Sequence, residues 1–363
     1  MEIEYEVIEL RTRHEFRIAR AGSYGGPAGG PPAPPRRSVW VRVRDGDGVE
    51  GWGEAAPLPY YGETADTVAA VLPWLGEVVA AAAAGDPFAL ERIEDAVAKV
   101  LGGNPAAKAA LSAALHDLVG KRLGVPVWRL LGLDPSRAPL SSYTLGLDEP
   151  ERMRDRLRET AGYPILKVKL GTPRDEEVLR LIREERPDAV VRVDANTAWS
   201  AKEAIARLPL LEEHGVELLE QPVPAGDIEG LRRVREHTHI PVYADESCRT
   251  ADDVPRLAGA VDGINIKLAK CGSLREAVRL VHVARAHGLR VMLGCMVETT
   301  LGIAAAIQIA PLADVVDLDG AALLAEDPFV GPGLEPDGRL RFNGEAGLGV
   351  RVAGAAPGAL RGG

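Results

Sequence analysis

The sequence predicts an α/β protein: a (β/α) barrel preceded by a smaller α+β domain. Three observations lead there. From Ile165 to Asp319 short β-branched runs alternate with helical patterns, which means parallel strands joined by helical crossovers. The runs recur about every 25 residues, the length of one strand, loop and helix. Nearly every run ends on a charged residue, and barrel strand ends are where catalytic groups gather.

The elements follow in order. Residues 1–17 alternate as a strand, and Ser38-Val-Trp-Val-Arg-Val-Arg44 reads as a second. Asp45-Gly-Asp-Gly48 makes a tight turn into Glu50-Gly-Trp-Gly-Glu54. The Gly/Pro-dense segment Ala21–Arg37 separates the first two strands and has the composition of a flexible loop or lid. Helices are expected over Ala65–Ala83, Pro87–Val100 and Ala106–Arg122. The last has Asn104-Pro105 as its start and Gly124 as its stop. The first domain is expected to span 1–125, completed by 325–363, with the barrel over 126–324. Pro139–Gly146 is the expected first barrel strand. Strands beginning at Ile165, Val190, Val216, Pro241, Gly263, Arg290 and Val315 complete the ring. Ser200-Ala-Lys-Glu203 is a capping box, and Thr172-Pro173 and Thr250-Ala-Asp-Asp253 are further helix starts. Arg339-Leu-Arg-Phe342 reads as a short strand returning to the first domain.

Composition narrows the class. A chain of 363 residues with 46% hydrophobic residues can bury a large core, which excludes general disorder. A net charge of −10 argues against nucleic acid or an anionic membrane as partner. Three cysteines (Cys248, Cys271, Cys295) form no disulfide framework and suit a reducing cytoplasm. No export signal is visible, and the Ala-rich run Val78–Ala84 reads as too short to cross a bilayer. A cytoplasmic homo-oligomer acting on a small molecule is the expectation.

The strand ends carry the chemistry. With Pro139 opening strand one, Lys169 ends strand two, Asp194 three, Glu220 four, Asp245 five, Lys267 six and Asp317 eight. Three carboxylates on neighbouring strands can converge on one hard cation such as Mg²⁺. Strands two and six lie across the axis, so Lys169 and Lys267 face each other over that cation. A metal that holds a substrate carboxylate also stabilises the enediolate formed when an α-proton leaves. A lysine removes that proton only when neutral, and burial or nearby positive charge lowers its pKa. Lys167, two residues before Lys169 and on the same face, supplies such a charge. One lysine on each side of a planar intermediate is what inversion of an α-carbon requires.

Bland readings stand beside these. A single Asp or Glu at a strand end is usually a helix N-cap, and a single Lys a solvated charge. Three carboxylates and two lysines at the same set of strand ends outweigh that reading. Asp317 and Asp319 share a face and either bind an ammonium group or cap the next helix. Glu298 either points into the pocket or stands at the positive end of a following helix. None of the seven histidines falls at a strand end, and no phosphate loop or dinucleotide fingerprint is present.

Lys167-Val-Lys169, Val193-Asp-Ala-Asn196, Leu219-Glu-Gln-Pro222, Ala244-Asp-Glu-Ser247 and Asn265-Ile-Lys267 together resemble the enolase superfamily, in its muconate-lactonising-enzyme-like subgroup. The resemblance covers nearly the whole chain. It implies a barrel of the modified TIM type under an N-terminal α+β capping domain. It also implies Mg²⁺ on Asp194, Glu220 and Asp245, with Lys169 and Lys267 as the acid/base pair. Lys270-Cys-Gly272, Gly294-Cys-Met-Val-Glu298 and Asp317-Leu-Asp319 look most like dipeptide epimerases, where the aspartate pair holds the substrate's N-terminal ammonium. Thr144 resembles a polar substrate contact, and Arg20 a loop residue that binds an acidic side chain. The expected reaction inverts the α-carbon of the C-terminal residue of an L,L-dipeptide. The alternatives are an o-succinylbenzoate synthase, an N-acylamino acid racemase or a muconate-type cycloisomerase. A sugar-acid dehydratase is disfavoured because those relatives carry a His where this chain has Gly294-Cys295.

Overall fold

Two sheets divide the strands. In the computed structural model, which describes residues 1–19, 36–353 and the backbone of 361–362, the first sheet is antiparallel. It comprises β1 (Glu2–Leu10), β2 (Arg36–Arg44) and β3 (Glu50–Ala55). Gly48, at φ +83°, closes the turn between β2 and β3 as the Asp-Gly pair requires. The Ala21–Arg37 insertion lies outside the described residues except for Arg36 and Arg37, which already belong to β2.

Three helices cover this sheet: α1 (Ala65–Ala83), α2 (Leu90–Val100) and α3 (Pro105–Leu123). α1 is 19 residues long and reaches a mean hydropathy of 1.4 over an 18-residue window, long and apolar enough by composition to cross a bilayer. The short Ala-rich run was therefore the wrong gauge. What marks α1 as a core helix is its packing, with Val68, Leu72, Leu75 and Val79 buried beside Val39, Val41 and Val43 of the sheet. α3 lies so close to β3 that a Cβ on Gly53 would sit 2.1 Å from the Ala110 carbonyl oxygen. Asn104 does not cap α3 through its side chain. It stands at φ +53°, and the Glu63 carboxylate instead accepts from the Ala106 and Ala107 N–H groups at 2.9 and 3.3 Å.

After the short α4 (Val127–Leu130) the second sheet begins, with eight parallel strands in sequence order. They are β4 (Tyr143–Leu145), β5 (Ile165–Lys169), β6 (Val190–Asp194), β7 (Val216–Glu220), β8 (Val242–Ala244), β9 (Gly263–Ile266), β10 (Arg290–Gly294) and β11 (Val315–Asp317). A parallel bridge between Ser141 and Val316 joins the first strand to the last and closes the ring. The first strand is shorter than Pro139–Gly146. Outside the ring run α5 (Pro150–Glu159), α6 (Asp175–Glu185), α7 (Ala201–Glu213), α8 (Ile228–Glu236), α9 (Val254–Leu257), α10 (Leu268–Cys271), α11 (Leu274–Ala286) and α12 (Thr300–Ile307). Ser200 and Glu203 form the expected reciprocal capping box of α7. α6 starts later than Thr172-Pro173 suggests, because the Asp175 side chain turns back to accept from the Gly171 and Thr172 N–H groups.

Every residue of β5 is buried. Strand alternation sends Leu166 and Val168 toward the helices and Lys167 and Lys169 into the barrel. The tail makes two hairpin-like pairs. β12 (Phe329–Val330) pairs with β15 (Arg351–Val352), and β13 (Gly333–Leu334) with β14 (Leu340–Arg341). Arg339–Phe342 therefore pairs within the tail and does not join the first sheet. The chain returns to that sheet through β16 (Arg361–Gly362), antiparallel to β1, and Phe329 packs edge-on to Trp40 at 4.8 Å.

Candidate active site

The barrel register sets the charges in one layer. Lys169 pairs with Asp194 across β5 and β6, Asp194 with Glu220 across β6 and β7, and Gly294 with Asp317 across β10 and β11. Asp245 and Lys267 follow the last residues of β8 and β9. All of these side chains are at least nine-tenths buried.

Asp194, Glu220 and Asp245 offer oxygens that all lie within 4.8 Å of one another. Three buried carboxylates at that range repel unless positive charge separates them. Lysines supply it here. Lys167 Nζ lies 2.7 Å from Glu220 Oε2 and 3.3 Å from Asp194 Oδ2. Lys169 Nζ donates to Asp194 Oδ2 at 2.6 Å and Lys267 Nζ to Asp245 Oδ2 at 2.7 Å. Even so, burial and the neighbouring Asp194 push the Glu220 carboxyl up to about 7. Burial likewise opposes ionisation of Asp194, but Lys169 and Lys167 outweigh it and hold that group at about 2. An all-oxygen donor set that is short of positive charge fits a hard divalent cation.

Burial alone would lower the lysines' pKa values. For Lys267 Asp245 outweighs it, and for Lys167 Asp317 and Glu220 do, so both ammonium groups are held above their ordinary value. This is the reverse of what a neutral base needs. A cation that took over the carboxylates would remove the cause.

The acid pair lies on the facing wall. Asp317 Oδ2 accepts from Lys167 at 2.7 Å, and its Oδ1 accepts from Ser142 Oγ at 2.7 Å and Thr144 Oγ1 at 3.4 Å. Asp319 accepts from the Thr144 N–H at 2.5 Å, and burial together with Asp317 pushes its carboxyl up to about 7. Lys167, Lys169, Asp245, Lys267, Thr144, Asp317 and Asp319 all line one cavity. Leu10, Phe16, Ile18, Leu58 and Tyr61 of the first domain line it too. Arg20 lies outside the described residues.

Glu298 is not on that wall. Its Oε1 accepts from the Met296 N–H at 2.8 Å, beside the start of α12, and burial plus the nearby Glu54 push it up to about 8. Of its two sequence readings, the helix-start one matches the structure. Histidines keep away from the cavity; the buried His116, for example, sets Nδ1 2.8 Å from the Ser112 carbonyl in α3.

Sequence reasoning quoted Lys270, Asn265 and Gln221 within motifs but gave them no role, and they brace this layer. Lys270 is almost fully buried, and its Nζ donates to Asp245 Oδ1 at 2.5 Å and to the carbonyls of Asp245, Cys248 and Asn265. Asn265 donates to Glu220 Oε1 at 2.8 Å. Gln221, at φ +36°, accepts from the N–H groups of Asp245 and Ser247 at 2.9 and 3.1 Å. Each sits within three residues of a strand-end charge, which was the available signal.

Comparison with known proteins gives the family. Residues 151–356 match the enolase C-terminal domain-like family, and residues 35–132 match the N-terminal domain of mandelate racemase/muconate lactonizing enzyme. The chain belongs to the mandelate racemase/muconate lactonizing enzyme family of the enolase superfamily. It is 39% identical over 352 residues to an L-Ala-D/L-Glu epimerase of Bacteroides thetaiotaomicron, covering 96% of this chain and 88% of that protein. A dipeptide epimerase of Enterococcus faecalis, crystallised with Mg and the dipeptide L-Leu-L-Tyr, superposes with a TM-score of 0.85. It is 33% identical, with 96% of this chain and 98% of that one covered. An N-succinyl Arg/Lys racemase of Bacillus cereus superposes with a TM-score of 0.86 at 28% identity, covering 97% and 96%.

Proposed function

We propose that the protein is a Mg²⁺-dependent dipeptide epimerase that inverts the α-carbon of the C-terminal residue of an L,L-dipeptide. The isomerase class follows from the family and from relatives named as epimerases. The observation that carries the finer reading is the cavity itself. Two lysines from opposite strands flank an acidic triad, and an acid pair stands on the wall between them. Asp194, Glu220 and Asp245 would hold the cation, which supplies positive charge beside a substrate carboxylate and so acidifies the adjacent α-proton.

The chain's own groups do the rest. Asp319, near-neutral in pKa and already close to Asp317, gains an ionic partner when a substrate ammonium arrives. Thr144 holds that carboxylate in place through its N–H. Lys167 separates the triad from the acid pair, touching both. Lys169 removes the α-proton from one side, and Lys267 delivers one from the other. The apolar wall of Leu10, Phe16, Ile18 and Leu58 excludes water from the α-carbon. We divide the chain into a capping unit, 1–125 with 325–363, and the barrel, 126–324. β16 on β1 and Phe329 on Trp40 support this division. Three free cysteines suit the reducing cytoplasm.

The test is substrate-directed. Dipeptides and N-succinyl amino acids are compared in the wild type and in Asp319→Asn. Loss of dipeptide turnover alone supports the ammonium site, whereas equal loss, or no loss, moves the protein to the N-acylamino acid racemase reading.

A further inference from the structure

Each carboxylate of the triad has one oxygen tied down on the side away from the catalytic lysines. Asp194 Oδ1 accepts from the Asn196 N–H at 2.9 Å, and Glu220 Oε1 accepts from Asn265 Nδ2 at 2.8 Å. Asp245 Oδ1 accepts from Lys270 Nζ at 2.5 Å. The other oxygens, Asp194 Oδ2, Glu220 Oε2 and Asp245 Oδ2, are the ones that Lys169, Lys167 and Lys267 reach. The layer thus presents three oxygens and withholds three.

The withholding groups are rigid. Lys270 is 2% exposed and spends its remaining donor capacity on the carbonyls of Asp245, Cys248 and Asn265, at 2.6, 3.0 and 2.8 Å. An ammonium has three hydrogens, so four acceptors leave none unused and the side chain has no second place to go. Asn265 is fully buried and fits only because residue 294 is glycine; a Cβ there would stand 2.6 Å from Asn265 Oδ1.

We infer that Lys270 and Asn265 are positioning residues that keep Asp245 and Glu220 single-oxygen ligands, and that they thereby select a small divalent cation against a large one. The inference rests on the Mg²⁺ reading above. Mg²⁺ accepts near-octahedral coordination with few protein oxygens and retained waters, whereas Ca²⁺ wants six to eight oxygens and takes carboxylates through both. With Oδ1 of Asp194, Oε1 of Glu220 and Oδ1 of Asp245 engaged elsewhere, Ca²⁺ finds only half of the carboxylate oxygens. Removing Lys270 also removes a positive charge, which tightens every cation. The ratio of Ca²⁺ to Mg²⁺ affinity cancels that effect and reports the freed oxygen.

The test is calorimetric titration of the full chain, without substrate, using magnesium chloride and calcium chloride. The variants are Lys270→Met and Asn265→Ala. Each is expected to raise the Ca²⁺-to-Mg²⁺ affinity ratio by about ten-fold or more, the scale on which ligand-supporting contacts act. An unchanged ratio in folded variants overturns the inference and leaves the Mg²⁺ reading standing. A wild type that binds neither cation overturns both. A measurement free of variants is a crystal structure of the wild type with Ca²⁺. One oxygen per carboxylate on the ion, with Lys270 still on Asp245 Oδ1, is expected. Asp245 or Glu220 binding through both oxygens contradicts it.

Discussion

The two lysines that face each other across the barrel make the strongest predictions. Lys169→Ala and Lys267→Ala should each lower kcat for epimerisation by about 10²–10⁴-fold, the usual value of a positioned acid or base. Substrate affinity should change little, because the carboxylate and ammonium contacts remain. Steady-state kinetics on the purified variants checks this, and a large KM effect with unchanged kcat would contradict it. Glu298 makes a different prediction. Its carboxyl is raised to about 8 by burial and Glu54, so it folds neutral at low pH. Its contribution to stability is complete below the unfolded value near 4.5 and is lost as pH rises toward 8. Thermal melts at pH 5 and pH 8.5 should show the wild type losing more than Glu298→Gln over that interval. Parallel losses in both proteins would rule out the buried neutral acid. The charged strand ends were legible in the sequence because a charge at the end of a hydrophobic run stands out. Lys270 and Asn265 stood in quoted motifs, but their bracing roles were not legible, because one follows the strand end and the other lies within β9, and neither shows its partners in the sequence.

At the level of elements, sequence signals worked where one local rule decided the outcome. The hairpin at Asp45–Gly48, the capping box at Ser200 and the full length of α1 follow from turn chemistry, reciprocal capping and apolar periodicity. They failed where a distant residue intervened. Asn104 lost its capping role to Glu63, which comes from more than 40 residues upstream. The tail strand at Leu340 paired with its neighbour at Leu334 and left the sheet edge to residues 361–362. Gly51 and Gly53 looked like part of an ordinary strand and are there so that α3 can touch the β3 backbone. Gly53→Ala should therefore destabilise the protein by about 1–3 kcal/mol through overpacking. Denaturant unfolding measures it, and a loss below a few tenths would mean that α3 moves away freely.

The whole molecule joins two units around one cavity. The capping sheet does more than shelter it. Glu54 of β3 is buried and accepts from the N–H groups of Thr299 and Gly302, so the first domain caps a barrel helix directly. Phe16, Ile18, Leu58 and Tyr61 line the same cavity as the strand-end charges, so both units contribute to its walls. Chelation should stop turnover without unfolding the barrel, since Lys167, Lys169 and Lys267 each pair with a triad carboxylate and tie the layer together without the ion. Circular dichroism alongside the assay, before and after EDTA, separates the two effects. The most direct test of the central claim is incubation with Mg²⁺ in D₂O against a library of L,L-dipeptides, read by mass spectrometry. Incorporation of one deuterium at the α-carbon of the C-terminal residue, lost in both single lysine variants, is the expected result. No exchange with any dipeptide, but exchange with N-succinyl amino acids, would contradict the assignment of the acid pair to an ammonium group.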